Sequence, residues 1–266
     1  MENPSGYRIE SIDILRGIVT VLMALDHTRD YFGVGSFFSD PTNLDATTPL
    51  LFLTRWITHF CAPVFVFLAG TSIYLYGTRR NSKKEVARFL LARGVWLVFL
   101  ELTIVNFGWT FDVTLSFHLL QVIWAIGISM IFLSVIIFLP KWILLAVGIV
   151  LVAGHNALDF IHIQETTVLG FIWSFLHQRS FIPLGQNSTI YFVYPVLPWI
   201  GLMILGYAFG ELYQKGFDAK RRKMLLLSMG IYAVVMFIIF RTFNIYGDPN
   251  QWEPQKNTCF FDTIIS

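Results

Sequence analysis

The sequence predicts an all-α fold, a polytopic bundle of transmembrane helices. Three observations carry that prediction. The 266 residues are 55% hydrophobic and only 14% charged, with a mean hydropathy of +0.63, whereas soluble domains carry about a quarter charged residues. Windows of roughly 20 residues pick out repeated apolar stretches, each long enough to cross a bilayer. Lys and Arg are concentrated in two places instead of being spread along the chain, as expected when they stay on one side of a membrane.

Seven windows qualify: 10–33, 50–76, 88–108, 117–138, 142–160, 191–212 and 223–243. A further stretch, "TTVLGFIWSFLHQ" (166–178), is too short to cross and reads as an interfacial or re-entrant piece. One basic cluster is "TRRNSKKEVARFLLAR", with Arg79, Arg80, Lys83, Lys84, Arg88 and Arg93. The other is "KGFDAKRRK", with Lys215, Lys220, Arg221, Arg222 and Lys223. With a cytoplasmic N-terminus, seven spans put both clusters inside. The segment 34–49 has Asp40 and Asp45 but no Lys or Arg, and it falls outside with 161–190 and 244–266. The expected location is therefore a multi-pass site in a membrane.

The first apolar stretch is interrupted by charge and lacks a small-residue cleavage site, so it reads as retained. No internal repeat or linker is evident, and residues 1–266 read as a single integral-membrane domain. The ending "CFFDTIIS" reads as the start of another apolar element, which predicts a longer natural bundle. Cys61 falls in a predicted span and Cys259 in a tail, so two separate thiols are expected. No Cys/His spacing of the zinc type exists, and no metal is expected. Lipid is the expected surrounding partner and nucleic acid is not. The oligomeric state is left open.

The first window is the unusual one. "IDILRGIVTVLMALDHTRDYF" carries Asp13, Arg16, Asp26, His27, Arg29 and Asp30. A charge at mid-membrane costs several kcal/mol unless it faces a bundle interior or a wet cavity. At 100° per residue, Arg16 and His27 lie within about 20° of each other, separated by roughly 16 Å along the helix axis. Asp13 precedes Arg16 by three residues, Asp30 follows His27 by three, and Asp26 and Arg29 are also three apart, all within reach on a helix. Two readings fit: ion pairs that lock the bundle, or a site in which His27 accepts a proton and Asp30 steadies the imidazolium.

Other polar residues fall in predicted spans. His59 follows Arg55 by four residues, and Pro63 is expected to kink that span. Ala69, Gly70, Thr71 and Ser72 suit close helix packing. Glu101 lies well inside the third span and needs a partner or a proton. His118 and Gln121 stand at the start of the fourth span, facing a cavity or capping the helix. His155 and Asp159 are four apart near the end of the fifth span, with Asn156 between them and His162 beyond, and they read as interfacial polarity or a dyad. Pro195 and Pro198 open the sixth span.

"SIDILRGIVTVLMALDHTRDYF" (11–32), "THFCAPVFVFLAGTSIYLYG" (58–77) and "YPVLPWIGLMILGYAFGELY" (194–213) resemble, in that order, blocks of the bacterial branch of the heparan-alpha-glucosaminide N-acetyltransferase catalytic-domain family. Arg16 and His27 also resemble the Arg-x10-His pattern of the wider transmembrane acyltransferase superfamily, whose histidine is taken as essential. The lysosomal enzyme that names the family carries its catalytic histidine in the loop between the first two spans. Residues 34–49 contain none, so the heparan substrate is not carried over and His27 is the leading candidate base.

The resemblance implies a membrane acyltransferase taking an acyl group, expected to be acetyl, from cytoplasmic acetyl-CoA to an envelope sugar or glycan. The expected catalytic residues are His27, Asp30 and Arg16. Asp26, Arg55, His59, Glu101, His118 and Gln121 are expected to bind substrate. Arg79, Arg80, Lys83, Lys84, Arg221 and Arg222 suit the phosphates of acyl-CoA. An acyl-histidine intermediate is a variant of the same chemistry. The alternatives are a transporter using the Asp/Arg/His row as a solute or proton path, or a non-catalytic protein using it for packing.

Overall fold

The computed structural model describes residues 9–33, 47–80, 82–244 and 246. Asp40, Asp45, Cys259 and the apolar ending at 259–266 lie outside the described residues. The fold is mainly helical and divides into two compact units, one of Met1–Phe65 with Met224–Ser266, the other of Val66–Lys223.

The first unit begins with α1, Glu10–Phe32, unbroken over 23 residues. Its open side is apolar: Ile14, Ile18, Val21 and Leu25 are exposed. Asp13, Arg16, Asp26, His27, Arg29 and Asp30 are all half-buried. Apolar groups exposed beside half-buried charges suit a helix that meets hydrocarbon on one side. It packs against α2, Pro49–Thr58, whose start is set by Pro49 and by Thr48, the side chain of which accepts from Leu51 N–H. Helix α3, Cys61–Gly77, follows after a two-residue interruption at His59 and Phe60. Pro63 sits in the first turn of α3, where its missing N–H costs nothing, and Pro49–Gly77 remains one helical stretch. The buried Cys61 thiol donates to Val19 O at 3.7 Å.

The second unit holds α4, Lys83–Leu100, a π-helical turn at Glu101–Val105, and α5, Asn106–Thr110. Then come α6, Val122–Ile136; α7, Lys141–Gly154; α8, Val168–Leu176; and α9, Val196–Phe209. Three strands are interleaved with them: β1, Phe117–Leu120; β2, Phe181–Leu184; and β3, Ser188–Phe192. The sheet order is β1-β3-β2, with β1 parallel and β2 antiparallel to β3. Helix α10, Ala219–Phe243, starts in this unit, runs from Met224 into the first, and has no buried residue.

The sheet corrects two boundaries. The window 117–138 opens as β1, and the window 191–212 opens inside β3, with α9 starting only at Val196. Short apolar runs do not tell strand from helix. Pro195 occupies the N-cap of α9 and Pro198 its first turn, so both start the helix instead of breaking it.

The core of the second unit includes Val66, Leu90, Leu133, Ile137, Leu144, Met203 and Ile204. In lipid, apolarity does not drive helices together, so close approach must. Helices α3 and α9 meet at Gly70 and Gly206. A Cβ on Gly206 would lie 2.0 Å from Phe67 O, and one on Gly70 would lie 2.1 Å from Met203 O. Thr71 Oγ1 donates to Gly206 O at 3.0 Å across the same crossing. Packing is thus the work of the small residues at 69–72.

Five helical stretches are long and apolar enough to cross a membrane: Pro49–Gly77, Lys83–Thr110, Lys141–Leu158, Val196–Tyr213 and Ala219–Phe243. Of the other two windows, one holds α6, apolar but only 15 residues long, and the other holds the charged α1. The 166–178 stretch holds α8, nine residues and too short to cross.

Candidate functional site

The charged half of α1 meets α2 through one carboxylate. Asp26 Oδ1 accepts from Thr58 Oγ1 at 2.6 Å, and Arg55 Nη1 lies 3.2 Å from both Asp26 oxygens. Arg55 and Thr58 are three apart on α2, so they share a face. Arg29, one turn after Asp26, reaches Asp26 Oδ1 at 2.5 Å and Asp30 Oδ1 at 2.9 Å. Arg29 bridges two carboxylates, and Arg55 balances the second negative charge. The four charges cancel, which is how they tolerate partial burial.

His27 stands beside this network. One ligand atom each from Asp26, His27 and Asp30 falls within 4.8 Å of the others. That set has the residue types of a cation site. However, the Asp26 oxygens already accept from Arg29, Arg55 and Thr58, and Asp30 Oδ1 accepts from Arg29. Two guanidiniums thus already occupy the carboxylate oxygens on the side facing the cluster. Arg29 Nη1 is buried and makes no hydrogen bond among the described residues, which leaves one guanidinium donor for another acceptor.

Arg16 lies 3.7 Å from Asp13, with 39% of its side chain exposed. Because α1 is unbroken, Arg16 and His27 keep their common face, roughly 16 Å apart along the axis. His59 caps the end of α2, exposed, with Nδ1 at 2.9 Å from Arg55 O. The structure therefore joins Asp26, His27, Asp30 and Arg55 in one cluster. Thr58 and the bridging role of Arg29 belong to the same cluster and were not among the expected site residues. The i, i+3 spacing of Asp26 and Arg29 was the available signal for Arg29.

Glu101, His118 and Gln121 lie in the other unit. Glu101 is fully buried, and its Oε1 accepts from Gln121 N–H at 2.6 Å. Gln121 is the N-cap of α6, so Glu101 puts a carboxyl at a helix N-terminus, where negative charge is favoured. Asn106 ties the π turn to β1, donating to Phe117 O at 2.8 Å and accepting from Leu119 N–H at 2.9 Å. His118 lies in β1 opposite Ile190, not at the start of a helix.

The basic residues are partly engaged. Arg80 pairs with Glu85 at 2.8 Å and lies over the Tyr76 ring. Lys83 Nζ donates to Ile137 O just past the end of α6. Arg221 and Arg222 lie over Phe217 and Tyr213. Arg79 and Lys84 are exposed at the end of α3 and the start of α4.

Helices long and apolar enough to cross a bilayer, one of them preceded by a helix with half-buried charges, define an integral membrane protein. The family model described as "Heparan-alpha-glucosaminide N-acetyltransferase, catalytic" matches residues 8–246. The chain belongs to that family, and its function is of the membrane acyltransferase type. No curated protein and no solved structure matches the chain significantly.

Proposed function

We propose that this protein transfers an acyl group, acetyl by preference, from acyl-CoA to a sugar or glycan acceptor, with His27 as general base. The observation that carries the reading is the Asp26–Arg29–Asp30–Arg55 network, which sets a half-buried imidazole among balanced charges on α1. The acceptor's hydroxyl or amine gives its proton to His27. The freed oxygen or nitrogen bonds to the thioester carbonyl carbon, the C–S bond breaks, and the departing sulfur takes up a proton to give the free thiol of CoA. Asp30 and Asp26 stabilise the imidazolium. Arg29, through Nη1, which makes no hydrogen bond among the described residues, is the natural donor to the oxyanion that forms on the carbonyl. Arg16, on the same face of α1, orients the acyl arm.

The phosphates of acetyl-CoA suit Arg79, Arg80, Lys83, Lys84, Arg221 and Arg222, by charge and by the aromatic rings under three of them. Asp26, Arg55 and His59 bound the acceptor. The cytoplasmic membrane of a bacterium, with an envelope glycan as acceptor, is the setting in which such a transfer is useful.

The test is transfer of labelled acetyl from acetyl-CoA to a panel of envelope glycans by purified His27→Ala protein. Loss of a positioned general base removes about 10²–10⁴ in rate, with the thermal unfolding profile unchanged. Unfolding of the variant would favour a packing role. Intact transfer by a folded variant would overturn the assignment of His27.

A further inference from the structure

Helix α4 leads a stretch of 28 residues, Lys83–Thr110, long and apolar enough to cross a membrane. At 1.5 Å per residue the stretch measures about 42 Å, the thickness of a bilayer with its headgroups. One side of α4 is committed to protein. Val86, Leu90 and Gly94 are buried, and a Cβ on Gly94 would lie 2.6 Å from Gly127 O of α6. The rest of its surface exposes Leu91, Val95, Trp96 and Phe99, with the rings of Trp96 and Phe99 stacked 5.5 Å apart. Two exposed arginines, Arg88 and Arg93, interrupt this apolar surface.

Depth sets these two apart. The headgroup layer takes about 5–7 Å at each end of such a span. Arg88 stands about 7 Å from Lys83 along the axis and Arg93 about 15 Å. Arg88 therefore starts at the boundary with hydrocarbon and Arg93 below it. Neither pairs with an acid among the described residues, and Glu85, the one acid in α4, is taken by Arg80 at 2.8 Å. A cation at that depth is costly unless it reaches a counter-ion. Helical side chains lean toward the N-terminus, and Arg93 does so: its Cζ lies 5.8 Å from the ring centre of Phe89, one turn back. Phe89 is in turn stacked on Tyr76 of α3, with centroids 4.4 Å apart. The Arg93 guanidinium thus rests against an aromatic pair at the level of Arg88, turned toward the headgroup layer.

Two guanidiniums without an acid partner among the described residues, set above an exposed apolar strip, match one kind of ligand: an amphiphile with a phosphate at its head. A soluble phosphate would leave the strip uncovered. A zwitterionic lipid would bring a further cation to a place that already holds two. We propose that Arg88 and Arg93 bind the phosphate of an anionic phospholipid whose acyl chains lie along Leu91, Val95, Trp96 and Phe99. Neither arginine is assigned a part in acyl transfer.

The experiment holds the full chain in mixed micelles of detergent and phosphatidylcholine and titrates in phosphatidylglycerol brominated in its acyl chains. Brominated phosphatidylcholine is the reference, and bromine quenches the fluorescence of nearby tryptophan. The anionic lipid should quench more strongly at equal content. Arg88→Gln and Arg93→Gln should each lower its affinity relative to the reference about fivefold, the worth of one cation at a membrane surface. Lys215→Gln, which removes an exposed cation of the second basic cluster, should leave that ratio nearly unchanged. Trp96→Phe keeps an aromatic ring beside Phe99 and should remove the excess quenching, which locates the lipid on α4 even where an arginine variant fails to fold. Equal quenching by the two lipids, an equal loss in Lys215→Gln, or excess quenching that survives Trp96→Phe would each overturn the proposal. So would displacement of the lipid by inorganic phosphate or by acetyl-CoA, which would give the two arginines to a soluble phosphate instead.

Discussion

Arg55 spans both oxygens of Asp26 at 3.2 Å, joining α2 to α1. The Asp26 side chain is only 16% exposed. Removing the carboxylate leaves Arg29 and Arg55 facing each other in a half-buried space. Asp26→Ala should therefore cost about 3 kcal/mol, the scale of a broken buried pair. Arg55→Ala should cost less, because Arg29 and Thr58 still satisfy Asp26. The midpoints of thermal unfolding in detergent rank the two, and the reverse order would contradict the network.

Gly206 and Gly230 are both helical glycines with opposite surroundings. At Gly206 a methyl would meet Phe67 O at 2.0 Å, whereas at Gly230 nothing lies within 4 Å. Gly206→Ala must push α3 and α9 apart, at a cost of about 1–3 kcal/mol or more. Gly230→Ala should be neutral or stabilising by up to about 1 kcal/mol, the helix-propensity difference. A pair of unfolding curves decides it, and equal losses would deny the close crossing.

The parts legible in the sequence are those with local causes. The apolar windows found the helices, and the three- and four-residue spacings on α1 found Asp26 with Arg29. The small residues at 69–72 marked the crossing that Gly70 and Thr71 make. What escaped depends on distant partners. Thr58 meets Asp26 across 32 residues, and nothing about an isolated threonine signals that. The pairing of His177 with Asp159 joins residues on two different elements, so no i, i+3 or i, i+4 spacing signals it. Of the two readings of His155 and Asp159, the dyad gives way to this longer pair, with His155 Nδ1 on Val152 O at 2.9 Å. The strands β1 and β3 hid inside apolar windows because four or five residues carry too little periodicity to oppose a span-length reading.

Asp112, just beyond the end of α5, organises its own loop. Oδ2 accepts from Ser116 Oγ and N–H, both at 2.7 Å. Oδ1 accepts from Thr114 Oγ1 at 2.5 Å and N–H at 2.8 Å. These bonds, those from Ser116 first, hold the carboxyl far below its ordinary value of 3.8. A depressed folded value means that the loop's extra stability is fully present above the ordinary value and is lost only as pH falls through the lowered one. Amide exchange at Thr114 and Ser116, corrected for intrinsic rates, should therefore stay protected from neutral pH down to about pH 4, the ordinary aspartate range. Asp112→Asn should lose that protection even at neutral pH. Protection that fades between pH 6 and 5 would contradict the assignment.

Glu101 separates a structural carboxyl from a paired charge. Its Oε1 holds Gln121 N–H at 2.6 Å, while Oε2 is buried with no hydrogen bond among the described residues. If the bond to the start of α6 is its task, an amide oxygen serves equally well. Glu101→Gln should unfold within about 1 kcal/mol of the parent, whereas Glu101→Leu, which strands the Gln121 N–H, should cost about 1–3 kcal/mol. If Glu101 instead balances a positive charge, both variants should fall together. Unfolding midpoints in one detergent, read beside protection of the Gln121 amide, distinguish these outcomes: protection lost in Leu and kept in Gln is the signature of the cap.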